Sequence, residues 1–526
     1  MSKAIRMAKL SARGGFNLFL GVSISSIVSA VGVIVLMRLL TPDEYGLVAF
    51  AMISPTLIGL FRDWGVNSAM IKYVAQYRSE NKISKVRNVI ASGLLFELVL
   101  GVLLSLISFL LAGFLATNVF GRSEKKFLIE FASLTILAGS FLVASQSTFI
   151  GFERMEFHSL TMICQACLKG FLAPFLVFLG YSSLGAVLGQ TVAAVIAGVI
   201  GIVIFYLIFF RNIHGRENDE LDFSGTLKSM LRYGLPVSVS AILGGFLPQF
   251  YNFLMAIYCS NSAIGNLMAA LNFTVLITFF TIPIVTVLFP AFSKLKPEKE
   301  VETLRNVFQF SVKYAAMLTI PVTVMIMALS KPLVFTLVGT KWSDAPFFLT
   351  LYSISFLYSG LGNLSLANFL NGQGETRVTM KLAFINLGMG LPLSLTLIPL
   401  FGITGLIVTA LVAGIPSLAI GLWWIKRHFG ATIDWASSTK IFLASVMAAT
   451  VTYIVISQLN FQHWVELVIG GVTFLMVYLV TAPLIRAVNK NDINNLREML
   501  SDLGPFSHLF NIPLNIIEKL LTIFTF

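Results

Sequence analysis

The chain alternates long apolar runs with short polar segments along almost its entire length. Each run is close to the length that an α-helix needs to cross a bilayer, about 20 residues. A helix satisfies its own backbone polar groups in lipid, and the runs are too uniformly apolar for the alternating strands of a membrane barrel. The pattern predicts an all-α polytopic membrane protein with about 14 transmembrane helices. They are placed at residues 17–38, 46–66, 89–113, 127–150, 157–180, 184–210, 234–258, 264–291, 309–330, 346–370, 380–399, 403–425, 438–457 and 464–485.

The first half of the chain repeats in the second half at a shift of about 219 residues. The matching pairs, in chain order, are Arg13 and Arg232, Gly15 and Gly234, Thr41 and Ser260, Gly46 and Gly265, Phe149 and Phe369, Gly170 and Gly390, and Gly185 and Gly405. Six spans per half is an even number, so both copies enter the membrane in the same orientation. We therefore expect two parallel six-helix repeats related by a pseudo-two-fold axis along the membrane normal, plus two extra C-terminal helices.

This organisation divides the chain into six segments. The N-terminal basic run is not expected to be a cleaved signal, because the apolar run after it has span length and a counterpart in the second half. The last segment carries apolar residues at helical spacing interrupted by charges and prolines, which is typical of an amphipathic helix on the inner leaflet. The predicted segments are a cytoplasmic basic N-terminus (1–16), a first six-helix bundle (17–210), a cytoplasmic linker (211–233), a second six-helix bundle (234–425), helices 13 and 14 (438–485) and a cytoplasmic amphipathic tail (486–526).

Composition and charge agree with a membrane protein and orient it. Hydrophobic residues make up 57% of the chain and charged residues only 11%. Most of the 36 basic residues fall in loops on the side that carries both termini. The positive-inside rule therefore predicts cytoplasmic termini in a multi-pass protein of the cytoplasmic membrane. The net charge of +12 is spread over these loops, where it meets anionic lipid headgroups, and no basic stripe with interleaved aromatics indicates nucleic acid.

Several kinds of chemistry have no signature in the sequence. There is no Gly-rich phosphate loop, and the inner loops are too short to fold as a nucleotide-binding domain. Cys164 and Cys167 form a CxxC pair inside a predicted span, where small packing residues are a simpler interpretation than redox or metal chemistry. We predict no enzyme activity, no metal site and no resident cofactor, and only a proton or sodium ion as a coupling agent.

Two matching motifs resemble a known family. The first copy reads Arg38-Leu-Leu-Thr-Pro-Asp-Glu-Tyr-Gly46, followed by an apolar helix and Asp63-Trp-Gly65. The second reads Ser260-Asn-Ser-Ala-Ile-Gly265 and then Leu288-Phe-Pro-Ala-Phe-Ser-Lys294. Over roughly residues 10–485, the chain resembles the polysaccharide transport family, the O-antigen, capsule and exopolysaccharide flippases of the multidrug/oligosaccharidyl-lipid/polysaccharide (MOP) superfamily. The first motif also predicts a helix start, because Thr41 suits an N-cap and Pro42 the first turn.

The resemblance implies a flippase that moves a polyprenyl-pyrophosphate-linked oligosaccharide to the outer leaflet by alternating access. It also implies membrane lipids as partners, with a polysaccharide polymerase and glycosyltransferases acting on the same glycan. Two alternatives stay open. One is an ion-coupled multidrug or organic-cation antiporter of the same superfamily, which would need an acidic cavity. The other is a flippase for a lipid-linked peptidoglycan precursor.

Candidate site residues are the ionisable groups within spans, because such groups are costly in lipid and usually face a cavity or a partner. Lys169, near the middle of helix 5, and Arg62, late in helix 2, are predicted to bind substrate phosphates or acidic sugars. Asp63 and Glu97 are candidates for the coupling ion. The structural alternatives are a Lys169–Glu97 pair and snorkelling of Lys169 or Arg62 to the interface. The spans of the second half are predicted to lack a buried Lys or Arg.

Overall fold

The protein is all-helical in the part of the chain that its computed structural model describes. That part consists of residues 3–208, 222–279, 281, 292–293, 295, 300–459, 461–489, 492–494, 497, 515 and 518. Helices and the turns between them account for it, with no strand among these residues. Residues 211–221 of the predicted linker, most of the Leu288–Lys294 motif and most of the predicted tail lie outside the described residues.

The chain forms two compact units, Met1–Gly265 and Asn266–Phe526. The first unit contains α1 (Lys3–Leu39), α2 (Pro42–Gly59), α3 (Val66–Ser79), α4 (Ile83–Phe114), α5 (Lys126–Gly151), α6 (Met155–Leu176), α7 (Ser182–Ile208), α8 (Phe223–Tyr258) and the beginning of α9 (Asn261–Phe273). The second contains the rest of α9, α10 (Val301–Ala328), α11 (Ser330–Val338), α12 (Ala345–Leu357), α13 (Asn363–Gly372), α14 (Thr376–Ala413), α15 (Ile415–Phe429), α16 (Trp435–Ser457) and α17 (His463–Leu484).

The prediction of a polytopic helical membrane protein is confirmed. Within the described residues, ten helical segments are long and apolar enough to cross a membrane, and one pair bent by 49°, Ala345–Leu361 with Asn363–Gly372, raises the number to 11. Two of the ten, Met155–Ile208 and Thr376–Phe429, are 54 residues long. Each of these contains two helices, α6 with α7 and α14 with α15. The count of 14 spans stays a prediction.

Local backbone geometry recurs at the spacing of the sequence repeat. Ser182, where α6 passes into α7, has φ 47° and ψ −133°, and Gly402, inside α14, has φ 57° and ψ −130°. The turns after α5 and α13 also match. Arg154 N–H donates to Phe149 O at 2.9 Å, and Glu375 N–H donates to Leu370 O at 2.8 Å. The same turns therefore follow corresponding helices in both units.

The motif at the start of α2 is a helix cap, as predicted. The Thr41 side chain accepts the Glu44 backbone N–H at 3.3 Å, and Glu44 Oε2 accepts the Thr41 backbone N–H at 2.8 Å. Pro42 occupies the first turn, where its missing N–H costs nothing. Glu44 Oε1 also accepts the Ser182 hydroxyl at 2.6 Å, which ties the cap to the α6–α7 turn.

The beginnings of α2 and α9 cross at two glycines. A Cβ at Gly46 would lie 1.8 Å from Asn261 O, and a Cβ at Gly265 would lie 1.9 Å from Pro42 O. The two contacts exchange partners under the 219-residue shift, as they do in a two-fold symmetric interface. Arg122 fixes the crossing, since its guanidinium donates to Asn261 Oδ1 and to the Cys259 carbonyl, both at 2.6 Å.

Helix α8 packs against α2, α3 and α4 within the first unit. At this contact a Cβ on Gly65 would lie 2.0 Å from the carbonyl oxygen of Gly234, so the two backbones touch. The bundle ranges predicted from the sequence, with a boundary at 211–233, stay predictions. The compact units themselves divide after Gly265.

The core of the second unit includes residues that follow its last span. Ile320 and Phe474 from α10 and α17 pack in one cluster with Ala487, Val488 and Ile493. The first part of the segment predicted to lie on the inner leaflet is therefore buried in protein.

Candidate functional site

Three of the four predicted site residues come together in the first unit, close to the end of α2. Helix α2 ends at Gly59 and α3 begins at Val66. Arg62 and Asp63 therefore lie in the segment between the helices, and their predicted position inside a span at 46–66 is wrong. The helix is interrupted between Gly59 and Val66, and Gly65, whose φ of +77° is a left-handed conformation, lies immediately before α3.

The cluster is centred on the carboxylate of Glu97 in α4. Arg62 Nε lies 3.4 Å from Glu97 Oε2. The Asn67 side-chain amide donates to Glu97 Oε1 at 2.5 Å, and the Asn67 backbone N–H donates to Asp63 Oδ1 at 3.2 Å. The Glu97 side chain is 1% exposed and that of Arg62 is 16% exposed. Asn67 thus links two carboxylates, one of which is also paired with a guanidinium.

Several buried side-chain atoms of the cluster lack a hydrogen-bond partner. Arg62 Nε, Glu97 Oε2 and Asn67 Oδ1 are all buried and make no hydrogen bond within the described part of the chain. Arg62 and Glu97 are thus within ion-pair distance without hydrogen-bond geometry. The guanidinium also lies against α5, since a Cβ at Gly139 would be 2.5 Å from Arg62 Nη1. This arrangement can accept a proton or a cation at Glu97, or an anion at Arg62, with small side-chain movements.

Lys169 lies apart from this cluster, on α6. The exposed residues Leu160, Cys167, Phe171 and Phe175 form one face of α6. At 100° per residue Lys169 is roughly opposite that face. Its side chain is partly accessible, and among the described residues no carboxylate lies within ion-pair distance. The Lys169–Glu97 pair considered from the sequence is wrong, because Glu97 pairs with Arg62.

The sequence analysis did not predict the role of Asn67 or a second buried charge. Asn67 is a single amide in an amphipathic helix, and only its spacing of four residues from Asp63 pointed to a contact. In the second unit, Lys313 of α10 is buried and its Nζ lies 2.7 Å from Asp492 Oδ2. The prediction that second-half spans lack a buried Lys or Arg is therefore wrong. Asp492 follows the last span, so nothing in the local pattern indicated this pairing.

Two family models match the chain. The model described as "Polysaccharide biosynthesis protein" matches residues 11–296, and the model described as "Lipid II flippase MurJ" matches residues 170–478. Each match covers more than half of the 526 residues. Together they extend over both compact units.

Two curated proteins from archaea are similar to this chain. The "Uncharacterized membrane protein MJ1068" of Methanocaldococcus jannaschii is 20% identical over 455 residues, which is 84% of this chain and 89% of that protein. The "Probable low-salt glycan biosynthesis flippase Agl15" of Haloferax volcanii is 19% identical over 274 residues, 51% of this chain and 57% of that protein.

Solved structures with the same fold include a flippase and a multidrug transporter. A structure of the lipid II flippase MurJ in an inward closed conformation matches with a TM-score of 0.70 at 16% identity, and 89% of this chain covers 98% of that one. An inward-facing multidrug resistance MATE family transporter of the MOP superfamily matches with a TM-score of 0.61 at 17% identity, and 78% of this chain covers 98% of that one. These likenesses show the fold, and the family matches show that the chain belongs to the polysaccharide biosynthesis protein family, with a second match to the lipid II flippase MurJ family.

Proposed function

We propose that this protein is a flippase that moves a polyprenyl-diphosphate-linked oligosaccharide from the cytoplasmic to the outer leaflet of the cytoplasmic membrane. The glycan serves a surface polysaccharide. Family membership supports lipid-linked glycan as the substrate class, and the similarity to the probable glycan flippase Agl15 agrees with it. Glycosyltransferases that build the glycan and a polymerase that consumes it are the partners that this role requires.

The observation that carries the proposal is Lys169. A lysine deep in a membrane helix is costly unless an anion or water accompanies it. Lys169 points away from the exposed face of α6 and has no carboxylate partner among the described residues. A diphosphate carries the charge and the acceptor oxygens that an ammonium group binds well. We assign Lys169 to the substrate diphosphate.

Arg62 and Glu97 supply a coupling step in this proposal. While Glu97 is ionised, it holds Arg62 in the buried ion pair. When Glu97 takes up a proton, the attraction is lost and Arg62 is released to bind a substrate phosphate. Asp63 and Asn67 keep the carboxylate in place through the hydrogen bonds described above. Flipping would then depend on the proton gradient and on Glu97 being able to ionise.

Alternating access and the membrane orientation belong to the same proposal. The matched turns at Ser182 and Gly402 and the reciprocal glycine crossing at Gly46 and Gly265 support two structurally equivalent halves. Parallel repeats of this kind expose a site to each side in turn by rocking. The charge distribution supports cytoplasmic termini.

The test is a flipping assay in proteoliposomes with a fluorescent polyprenyl-diphosphate oligosaccharide whose outward exposure is read by a membrane-impermeant quencher. Transport by the intact protein, abolished by Lys169→Gln at normal protein level, would support the proposal. Absence of glycan transport, combined with proton- or sodium-driven export of cationic dyes, would replace it with the antiporter function. In cells, deletion of the gene should cause lipid-linked glycan to accumulate on the inner leaflet while surface glycan is lost.

A further inference from the structure

A cavity of about 450 Å³ lies in the first unit among α3, α4 and the beginning of α8. It is separate from Lys169 and from the Arg62–Glu97 cluster. Its size falls within the usual range for small-molecule sites, about 300–1,000 Å³. The residues that line it are Tyr73, Tyr77, Lys85, Asn88, Val89, Asp222, Gly225, Thr226, Ser229 and Met230.

The cavity lies at the beginning of a candidate membrane span. Lys85 and Asn88 are in the first two turns of the candidate span that begins at Ile83. Basic residues and tyrosines gather at this level in membrane proteins, because a tyrosine ring tolerates lipid while its hydroxyl reaches the headgroups. Tyr73 and Tyr77 stack on each other with ring centroids 5.8 Å apart.

Polar groups in the cavity are available to a ligand. Within the described residues, the hydroxyls of Tyr73, Tyr77 and Thr226 and the side-chain amide of Asn88 make no hydrogen bond. Each of these four partly accessible groups can donate a hydrogen bond, and an oxyanion in the cavity could accept from them.

Lys85 supplies positive charge at the cavity, and the neighbouring acids are engaged in other contacts. Lys85 Nζ lies 5.6 Å from the Tyr77 ring centroid. Asp222 uses its carboxylate to cap α8 by accepting the Gly225 N–H at 2.9 Å. Glu80 binds Lys82 at 2.6 Å, and that hydrogen bond lowers the pKa of the Glu80 carboxyl. Lys85 thus makes no ion pair within the described residues, and its ammonium group is accessible to an incoming anion.

A second lysine, Lys72, adds positive charge beside a tyrosine that lines the cavity. Lys72 Nζ lies 3.9 Å from the ring centroid of Tyr233 and 5.2 Å from that of Tyr73. Tyr73, which lines the cavity, thus has a second cation near its ring. The cavity therefore combines hydrogen-bond donors, aromatic rings and cations at the beginning of a candidate span.

We propose that this cavity binds the phosphate group of an anionic membrane lipid. The phosphate would accept from Lys85, Asn88 and Thr226, while the tyrosine rings face the glycerol or the first isoprene units. The lipid is either a bulk phospholipid or a polyprenyl diphosphate, since both carry this group. The site does not depend on the proposed function, because its test measures binding and not transport.

The experiment is native mass spectrometry of the full-length protein released from detergent, with defined lipids added. The probes are phosphatidylglycerol, phosphatidylcholine and a polyprenyl diphosphate. The variants are Lys85→Gln and Asn88→Ala. The control is Lys228→Gln, which removes the same charge from an exposed lysine that does not line the cavity. Thermal melting of each variant checks that the fold is retained.

We expect about tenfold weaker binding of the anionic lipid in Lys85→Gln and little change in Lys228→Gln, since charge-assisted phosphate contacts are of that strength. Preference for phosphatidylglycerol would identify a bulk lipid, and preference for the polyprenyl diphosphate would identify the substrate lipid. Equal losses in Lys85→Gln and Lys228→Gln, or equal binding of phosphatidylcholine and phosphatidylglycerol, would overturn the proposal.

Discussion

Single ionisable side chains carry most of the functional information in this chain, because charges inside a membrane protein persist only where they are neutralised or used. Arg62, Glu97 and Lys313 are neutralised by partners in the structure. Lys169 lacks a carboxylate partner among the described residues, and its position opposite the exposed face of α6 argues against snorkelling into lipid.

The residue-scale prediction for Lys169 concerns charge. Lys169→Gln should lower glycan flipping by at least about tenfold, because it removes a charge-assisted contact to the substrate phosphate. Lys169→Arg should retain part of the activity. Flipping in proteoliposomes is the measurement, and Lys126→Gln serves as the control, because Lys126 only pairs with Glu130 at a helix end, at 3.4 Å. Normal transport by Lys169→Gln would exclude a required charge there.

The Arg62–Glu97 pair makes a prediction about stability. Arg62→Gln leaves the Glu97 carboxylate buried without its counter-ion, and loss of one partner of a buried pair costs about 3–5 kcal/mol. The double variant Arg62→Gln/Glu97→Gln should be more stable than Arg62→Gln alone, because no unpaired charge remains. Thermal unfolding of both variants and of the single variant Glu97→Gln in detergent completes the double-mutant cycle. Additive losses would show that the two side chains do not interact.

At the scale of elements, glycines and helix ends determine how closely the helices of the first unit approach. Gly46 and Gly265 let the backbones of α2 and α9 touch, and Gly65, next to the interruption between α2 and α3, contacts α8. The position of the charged cluster follows from this interruption, because Arg62 and Asp63 lie in the segment that it creates.

The close crossing of α2 and α9 can be tested by replacing either glycine with alanine, which adds one methyl group. Gly46→Ala and Gly265→Ala should each destabilise the protein by about 1–3 kcal/mol, since the added Cβ would overlap a backbone carbonyl. Gly244→Ala in α8 is the matched control, because a Cβ there would meet nothing within 4 Å. Its helix propensity gain is about 1 kcal/mol, so the sign should reverse. Equal thermal shifts in all three variants would contradict the close contact.

The pair of Lys313 and Asp492 joins α10 to the segment after α17. Asp492→Asn should destabilise the protein by about 3–5 kcal/mol, because Lys313 stays buried in α10 without its counter-ion. The double variant Lys313→Met/Asp492→Leu should recover most of this loss. Melting temperatures of the three proteins are the measurement, and a silent Asp492→Asn would mean that the segment is not held by this pair.

At the scale of the whole molecule, orientation in the membrane is the property that charge alone predicts. In a variant without Cys164, Cys167 and Cys259, a cysteine at Ser123 should react with a membrane-impermeant maleimide in intact cells. A cysteine at Lys82 should react only after the membrane is opened, because the basic loops face the cytoplasm. Both positions are exposed in the structure. The reverse labelling pattern would invert the orientation and place the Lys85 cavity on the outer side.

The class of the protein, most of its helices and the α2 cap could be predicted because they depend on local sequence. Apolar length selects a membrane helix, and Thr41 with Glu44 satisfies the first backbone N–H groups of α2. The exact end of α2 at Gly59 could not be predicted, because apolar residues continue past it at Leu60 and Phe61. The bend between α12 and α13 could not be predicted either, because the apolar character of the sequence continues across it.

The sequence by itself determined a helical membrane protein and the resemblance to polysaccharide flippases, because these follow from composition and motifs. The repeated halves and the basic cytoplasmic side stay predictions. Only the tertiary structure decided the pairing of charges. Glu97 bonds to Arg62 and Asn67, and Lys313 to Asp492. Such partners are 30 to 179 residues apart in the chain, so no local pattern can specify them. They meet because packing of the apolar helices brings these few polar groups together, where each must find a partner or a ligand.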